Sequence, residues 1–192
     1  MIAGTDNLRF FLRSATAEAH EQLDASMRAA SGWECERDYA RFLALQHAAR
    51  RSVEAWLDAH APDDLLPPAQ TPLIASDLSA SGEELPQGPL FSHPETSRAA
   101  VLGIAWALAG SSLGNRAILK DVRRASGAAG SWPETFLADD AMPAFWAKLR
   151  REVERPADAV EAEAARRAAI ALFDHFTHAV SPQLPNQMAL AS

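Results

Sequence analysis

Apolar residues recur three and four positions apart along most of this 192-residue chain, a spacing that places them on one side of an α-helix. The clearest run covers residues 7–28, and a second covers about residues 36–60. Later runs predict three further helices, over about residues 95–124, 141–154 and 157–180. No segment alternates apolar and polar residues as a strand would, and no tandem repeat is present. The sequence therefore predicts an all-α fold.

A proline-rich connection separates the second and third long helices. Seven of the twelve prolines lie in residues 61–94, which predicts a long connection there. The Thr-Pro pair at residues 71–72 resembles a helix cap followed by a first-turn proline, so we expect a short helix over residues 73–79. Residues 181–192 are expected to form a tail. A chain of this length is most simply one domain, residues 1–192, that is large enough to enclose a ligand.

Composition and charge exclude several classes of function. The formal net charge is −7 at pH 7, whereas nucleic-acid-binding proteins concentrate Lys and Arg to neutralise phosphates. Cys35 is the only cysteine, which excludes an intramolecular disulfide and a thiolate metal cluster. No stretch approaches about 18 uninterrupted apolar residues, and the first residues lack a basic region followed by an apolar core. We therefore expect no nucleic-acid partner, no membrane span and a cytoplasmic location.

Two segments carry residues that fit a flat ligand containing iron. His20 lies at the margin of the apolar side of the first helix, between Thr16 and Leu23, and can point into a cavity. Gly110 and Gly114 lie four positions apart inside the third predicted helix, and therefore on one face of it. An interior glycine costs a helix about 1 kcal/mol relative to alanine, so these glycines need a reason. An imidazole can hold iron from one side, while bare backbone leaves the other side open.

Each of these features also has an ordinary structural interpretation. A single helical histidine is more often a hydrogen-bonded, partly buried side chain than a metal ligand. Helical glycines also permit close packing against a second helix, or a kink. His175 and His178, with Asp174, could form half of a metal site, but no second pair completes it as in a di-iron bundle. Cys35 has no identifiable base partner, which favours a structural role over that of a nucleophile.

Three segments together resemble the haem oxygenase family. Residues 12–20, LRSATAEAH, are similar to the family's proximal-helix signature, Leu-basic-x-Ala-Thr-x-x-x-His, whose histidine ligates the haem iron. Residues 106–115, WALAGSSLGN, are similar to the distal-helix signature of the bacterial branch, aromatic-x-x-x-Gly-Ser-x-Leu-Gly. Residues 168–176, AAIALFDHF, are similar to the family's last-helix segment, Ala-Ala-x-x-x-Phe-x-x-Phe. The segments occur in the family's order, and the resemblance covers residues 8–180.

The resemblance implies a haem oxygenase-like fold in which haem lies between a proximal helix and a kinked distal helix. It implies that His20 ligates the iron, and that Gly110 and Gly114 let the distal backbone cross close above the porphyrin. Ser111 and the carbonyl group of Gly110 would hold water and deliver protons. Arg13 would reach a haem propionate. The remaining predicted haem contacts are Thr16, Trp106 and Arg151.

The activity that the resemblance implies is the opening of haem to biliverdin, Fe²⁺ and carbon monoxide, with O₂ as the oxidant. Electrons would come from a partner such as a ferredoxin, a flavodoxin or a reductase, because the chain has no Gly-rich dinucleotide-binding motif. The alternative is a non-catalytic protein that uses the same slot to bind haem or a bilin for storage, transfer or sensing.

Three positions depart from the family pattern. Many relatives carry a tyrosine about one turn before the first distal glycine, where this chain has Ala105 and Trp106. Ser111 stands where the animal branch has an aspartate, and Asn115 stands where a further glycine is common. These departures are expected to affect the reaction rate and the site of ring opening.

Overall fold

Helices dominate the part of the chain that the computed structural model describes, residues 4–127 and 132–181. In chain order these are α1 (Leu8–Ala15), α2 (Ala17–Ala30), α3 (Glu36–His60), α4 (Thr71–Ala80), α5 (Arg98–Ser111), α6 (Asn115–Ser126), α7 (Thr135–Ala138), α8 (Ala141–Val153) and α9 (Ala159–Val180). A 3₁₀ turn, Ser112–Gly114, joins α5 to α6. Within the same residues the β-type pairing is limited to one bridge between Thr5 and Ala157. The predicted all-α class is confirmed.

The first predicted helix is two helices, because the chain breaks at Thr16. This residue has a φ of −116° and a ψ of 5°, outside the helical range. Its hydroxyl donates to the carbonyl oxygen of Leu12 at 2.8 Å, and so does its backbone N–H at 3.0 Å. A threonine bonded back to the preceding turn bends a helix. The break therefore separates α1, which is capped by the Asn7 side chain, from α2, which carries His20.

The third predicted helix starts later than expected and is kinked. Ser97 caps α5 by accepting a hydrogen bond from the backbone N–H of Ala100, so the helix begins at Arg98 rather than near residue 95. At its other end, the Ser111 and Ser112 hydroxyls donate to carbonyl oxygens three residues back, at 2.7 and 2.6 Å. Such bonds stabilise the tighter 3₁₀ geometry over the α-helix. The chain then continues as α6. This helix ends at Ser126, before Gly127, whose φ is +47°.

Carboxylates from distant segments bind the first backbone N–H groups of two short helices, α4 and α7. The Glu54 carboxylate accepts the backbone N–H groups of Gln70 and Thr71, at 2.8 and 3.1 Å. This carboxylate starts α4 two residues before the predicted position. In the same way, the buried Asp77 accepts the N–H groups of Thr135 and Phe136, which begins the unpredicted helix α7.

The main core forms where α5 packs along α9, with α1, α3 and α8 around them. Small residues let the two central helices approach closely. A methyl group added at Gly103 would overlap the carbonyl oxygen of Ala165 and lie 2.8 Å from the Cα atom of that residue. A second apolar cluster joins α3, α4, α6 and α7 around Tyr39, Ile74 and Phe136. Together these clusters hold α1, α2 and the kinked α5–α6 segment in fixed relative positions.

None of the helices in residues 4–127 and 132–181 is long and apolar enough to cross a membrane. Of the predicted tail, only Ser181 lies within the residues that the structure describes. The bounds of α3 match the prediction, and those of α8 and α9 differ from it by two residues or fewer.

Candidate functional site

A cavity of about 490 Å³ lies between the α1–α2 break, the C-terminal end of α5, α8 and α9. This volume is within the range of about 300–1,000 Å³ that is common for ligand sites. Six of the eight residues predicted for the site line it: Arg13, Thr16, His20, Trp106, Gly110 and Ser111. The proximal and distal segments, which are remote in sequence, thus face one space.

His20 lies on α2, one turn beyond the break, and its ring is reached from the cavity. Its side chain is 52% exposed, and its ring meets that of Phe173 edge-on, with centroids 5.6 Å apart. The Nδ1 atom lies 3.4 Å from a carboxylate oxygen of Asp24. Histidines that ligate metals usually present one ring nitrogen to such an acceptor and the other to the metal. The geometry places Nδ1 beside this carboxylate and leaves Nε2 as the nitrogen further from it.

Gly110 lines the cavity, and packing of the helix does not require a glycine at this position. A methyl group added there would meet the Trp146 ring at 3.8 Å, which is ordinary van der Waals contact. The close-packing interpretation therefore applies to Gly103 and not to Gly110. The missing side chain leaves room on the cavity side of α5.

Gly114 and Arg151 are not among the residues that line the cavity. Gly114 is exposed, and a methyl group added there would meet nothing within 4 Å. The 3₁₀ turn between the two glycines changes the angle per residue, so Gly114 does not keep the face it would share with Gly110 in a continuous α-helix. Arg151 is exposed on α8. Its neighbour Arg150 is bonded to Glu154 at 2.9 Å.

Two guanidinium groups lie on one rim of the cavity. Arg13 was predicted, and Arg9, one turn earlier on the same face of α1, was not. Arg9 donates to a carboxylate oxygen of Glu154 at 2.9 Å and lies 5.9 Å from the centre of the Trp146 ring. Arg13 forms no ion pair with the rest of the described chain. The pair forms a cationic edge suited to carboxylates, although Glu21 adds one negative charge to the lining.

Aromatic rings form much of the remaining lining. Trp106 comes from α5, Trp146 from α8 and Phe173 from α9. The indole N–H of Trp106 is buried and finds no hydrogen-bond partner among the described residues. Phe173 belongs to residues 168–176, the segment that resembles the family's last helix. Nothing in the sequence marks Trp146 as part of a site. Such walls suit a large flat apolar ligand.

Two hydroxyl groups of the cavity lining are already engaged in hydrogen bonds. The Thr16 hydroxyl is bonded to Leu12, and Thr16 is 2% exposed. The Ser111 hydroxyl donates to the carbonyl oxygen of Leu108 at 2.7 Å and accepts a hydrogen bond from Arg50 at 3.0 Å. Arg50 was not predicted as part of the site, because its sequence position on α3 gives no signal of this contact.

The alternative metal and thiol sites gain no support from their surroundings. His175 is buried, and its Nε2 atom lies 3.0 Å from the carbonyl oxygen of Ala49. Cys35 is exposed, and its thiol donates a hydrogen bond to an Asp38 carboxylate oxygen at 3.1 Å, as in a local contact between neighbouring residues. In the described parts of the chain, no group of three or more His, Cys, Asp or Glu side chains is arranged to hold a metal ion.

Comparison with solved structures identifies the class of fold. No family model matches this chain, and no curated protein sequence matches it significantly. The structure is nevertheless similar to that of an all-α oxygenase. One match is to crystal structures of NO- and CO-bound haem oxygenase from Neisseria meningitidis, with a TM-score of 0.65 and 17% sequence identity. It covers 94% of this chain and 93% of that chain, so this chain has the haem oxygenase fold.

Proposed function

We propose that this chain is a haem oxygenase, which opens haem to biliverdin, Fe²⁺ and carbon monoxide with O₂ and external electrons. The observation that carries the proposal is that His20, Gly110 and Arg13 line the same cavity from three separate helices. The fold alone permits many functions, and these residues supply the chemistry that a haem slot needs.

The chain's own residues divide the binding of haem between them. His20 would hold the iron through Nε2, since Nδ1 faces Asp24. Gly110 would leave the opposite face free of side chains. Arg9 and Arg13 would form charge-assisted hydrogen bonds with the propionates. Bound haem supplies the iron at which O₂ is reduced, and the aromatic walls limit the access of water.

Proton delivery would fall to Ser111 and to the carbonyl group of Gly110, which can hold a water between them. The Ser111 hydrogen points to Leu108 in the structure, so this hydroxyl must rotate to donate into the cavity. Gly114 and Arg151 stay predictions from the sequence. A ferredoxin, flavodoxin or reductase as electron donor and a cytoplasmic location also belong to this proposal.

One observation favours the non-catalytic alternative. The Ser111 hydroxyl, which replaces the aspartate of the animal branch, is engaged on both sides by Leu108 and Arg50. A distal side with no free proton donor would suit a protein that binds haem or a bilin for storage, transfer or sensing. The two functions differ in whether bound haem is degraded under O₂.

The experiment begins with haem titration of the wild-type chain and of the His20→Ala variant, followed by absorbance spectroscopy. We expect a Soret spectrum of histidine-ligated haem in the wild type and its loss in the variant. His178→Ala is the matched control, because this exposed histidine of α9 lies outside the cavity lining. A wild-type spectrum that His20→Ala leaves unchanged would contradict the proposed ligand.

A chemical reductant is then added to the wild-type haem complex under O₂. We expect the Soret band to decay while a bilin spectrum appears. A stable ferrous or oxygenated spectrum would instead support the haem-binding alternative. Failure of the wild-type chain to bind haem would contradict both the haem oxygenase and the haem-binding alternative.

A further inference from the structure

Arg50 is a buried cation directly behind the distal side of the cavity. It lies on α3 and is 2% exposed. Its guanidinium group lies between two aromatic rings, 5.5 Å from the centre of Phe136 and 5.8 Å from that of Phe176. The Nε atom donates to the side-chain oxygen of Gln46 at 3.0 Å, and Nη2 donates to the Ser111 hydroxyl at 3.0 Å. Nη1 is buried and has no hydrogen-bond partner among the described residues.

This charge is poorly compensated by its surroundings. No carboxylate of residues 4–127 or 132–181 forms an ion pair with Arg50. Burial lowers the pKa of Arg50 to about 10, and the negative charge of Glu54 partly opposes this shift. The group is therefore protonated at neutral pH. The Glu54 carboxylate is itself bonded to the backbone at Gln70 and Thr71.

A buried, unpaired cation is costly, and an apolar side chain of similar volume would serve packing as well or better. Cation–π contact with two phenylalanines offsets only part of this cost. A merely structural explanation of Arg50 is therefore weak. The remaining feature of its position is the bond to Ser111, one residue from Gly110 on the wall of the cavity.

Ser111 connects the cation to the cavity. Its oxygen accepts from Arg50, and its hydrogen is directed to the Leu108 carbonyl oxygen. Arg50 thus holds the hydroxyl oxygen in place, and its positive charge lies one side chain behind the cavity wall. Because Gly110 has no side chain, no methyl group stands beside Ser111 to separate this charge from a ligand.

Resting on the proposed function, we propose that Arg50 is a positioning residue that fixes Ser111 and favours anionic over neutral small ligands at the open face of bound haem. The favoured ligands would include the negatively charged products of O₂ reduction. The role does not require Arg50 to touch the ligand, since the charge acts through the Ser111 hydroxyl and the low-dielectric wall.

The test compares an anion with a neutral ligand on the haem complex of the full chain. Azide is titrated into the ferric complex and carbon monoxide into the ferrous complex, each followed by absorbance. In Arg50→Met we expect the azide dissociation constant to rise about tenfold, because the positive charge behind the cavity wall is lost. The carbon monoxide dissociation constant should change less than about twofold in the same variant.

Three further variants separate charge from structure. Arg50→Lys retains the charge and should restore azide affinity at least in part. Ser111→Ala removes the connecting hydroxyl at an exposed position and should weaken azide binding without affecting carbon monoxide, even if Arg50→Met does not fold. Arg51→Met is the matched control, because this neighbouring arginine is exposed and bonded to Gln87 at 3.1 Å. It should bind both ligands as the wild type does.

The inference is overturned if Arg50→Met and Ser111→Ala leave azide affinity unchanged, or if they weaken azide and carbon monoxide equally. A lower stability of Arg50→Met with an unchanged azide-to-carbon monoxide ratio would also overturn it, because that result indicates packing alone. Failure of the proposed function would give another result, because the wild-type chain would then form no haem spectrum that depends on His20.

Discussion

Two glycines of α5, two turns apart, serve different purposes. Gly103 faces the backbone of α9, and a methyl group there would overlap the carbonyl oxygen of Ala165. Gly110 faces the cavity, where a methyl group would only touch Trp146 at 3.8 Å. The first glycine closes the contact between two helices, and the second keeps a space open. The same residue type in one helix is therefore required by packing at one position and lines a cavity at the other.

The same contrast extends to α9. Near Ala165 this helix is sealed against α5, whereas near Phe173 it forms a wall of the cavity. We refer to these as the sealed side and the open side of the α5–α9 pair. Stability should depend mainly on the sealed side, and haem binding on the open side. The predictions below test this division.

The largest effect is expected for Gly103→Ala, which should lower the free energy of unfolding by about 3 kcal/mol, because the overlap with Ala165 can be relieved only by moving backbone. Urea unfolding, followed by circular dichroism, measures this change. The matched substitution Gly110→Ala has the same chemistry on the open side. It should leave stability unchanged or raise it by up to about 1 kcal/mol, through better helix propensity.

In ligand binding the order of the two alanine variants should reverse, with the larger loss in Gly110→Ala. Gly110→Ala should weaken carbon monoxide binding to the haem complex, since the added methyl group enters the cavity. Equal losses of stability in Gly103→Ala and Gly110→Ala would remove the distinction between the two sides. A Gly110→Ala variant with unchanged stability and unchanged ligand binding would remove the functional reason for Gly110.

A smaller effect is expected at the cationic rim. Arg13→Met should weaken haem binding about tenfold, the effect of losing one charge-assisted hydrogen bond to a propionate. Arg9→Met should weaken it less, because the Arg9 guanidinium is shared with Glu154. Absorbance titration with haem measures both. Arg151→Met is the comparison on α8, and an effect equal to that of Arg13→Met would support the predicted role of Arg151 as a haem contact.

The sequence was a good guide where a local pattern decides the structure. The bounds of α3 could be predicted because its apolar spacing is uninterrupted from Glu36 to His60. The break at Thr16 could not, because threonine is tolerated inside helices and the break depends on a hydroxyl bond to Leu12. The unpredicted helix α7 depends on Asp77, which is remote in sequence.

The residues of the site also differ in whether a local sequence pattern could identify them. Arg13, His20 and Gly110 lie in recognisable segments, and all three line the cavity. Trp146 and Arg50 could not be predicted, since their places depend on how α8 and α3 pack against α5. Arg9 is intermediate, because its four-residue spacing from Arg13 was a readable signal. Local spacing therefore identifies the walls that a single helix supplies, while tertiary packing decides what stands behind them.

The smallest effect concerns His175, a buried histidine of α9 that packs against α3. Its Nε2 atom bonds to the Ala49 carbonyl oxygen at 3.0 Å, so the neutral ring carries its hydrogen there. Burial lowers the pKa of His175 below its usual value of 6.5, an effect that the Ala49 bond partly opposes and His178 reinforces. Protonation therefore favours the unfolded chain. The stability from this group is complete above pH 6.5 and is lost as pH falls through the lowered pKa.

This sign predicts that the free energy of unfolding decreases between about pH 7.5 and about pH 5.5, and that His175→Gln reduces the decrease. The glutamine amide can still donate to Ala49, which limits other damage. The buried His47, whose pKa is also lowered mainly by burial, contributes in the same direction to both proteins, so their difference isolates His175. Urea unfolding at the two pH values measures it. Identical pH dependence in the two proteins would show that His175 does not couple the α9–α3 contact to protonation.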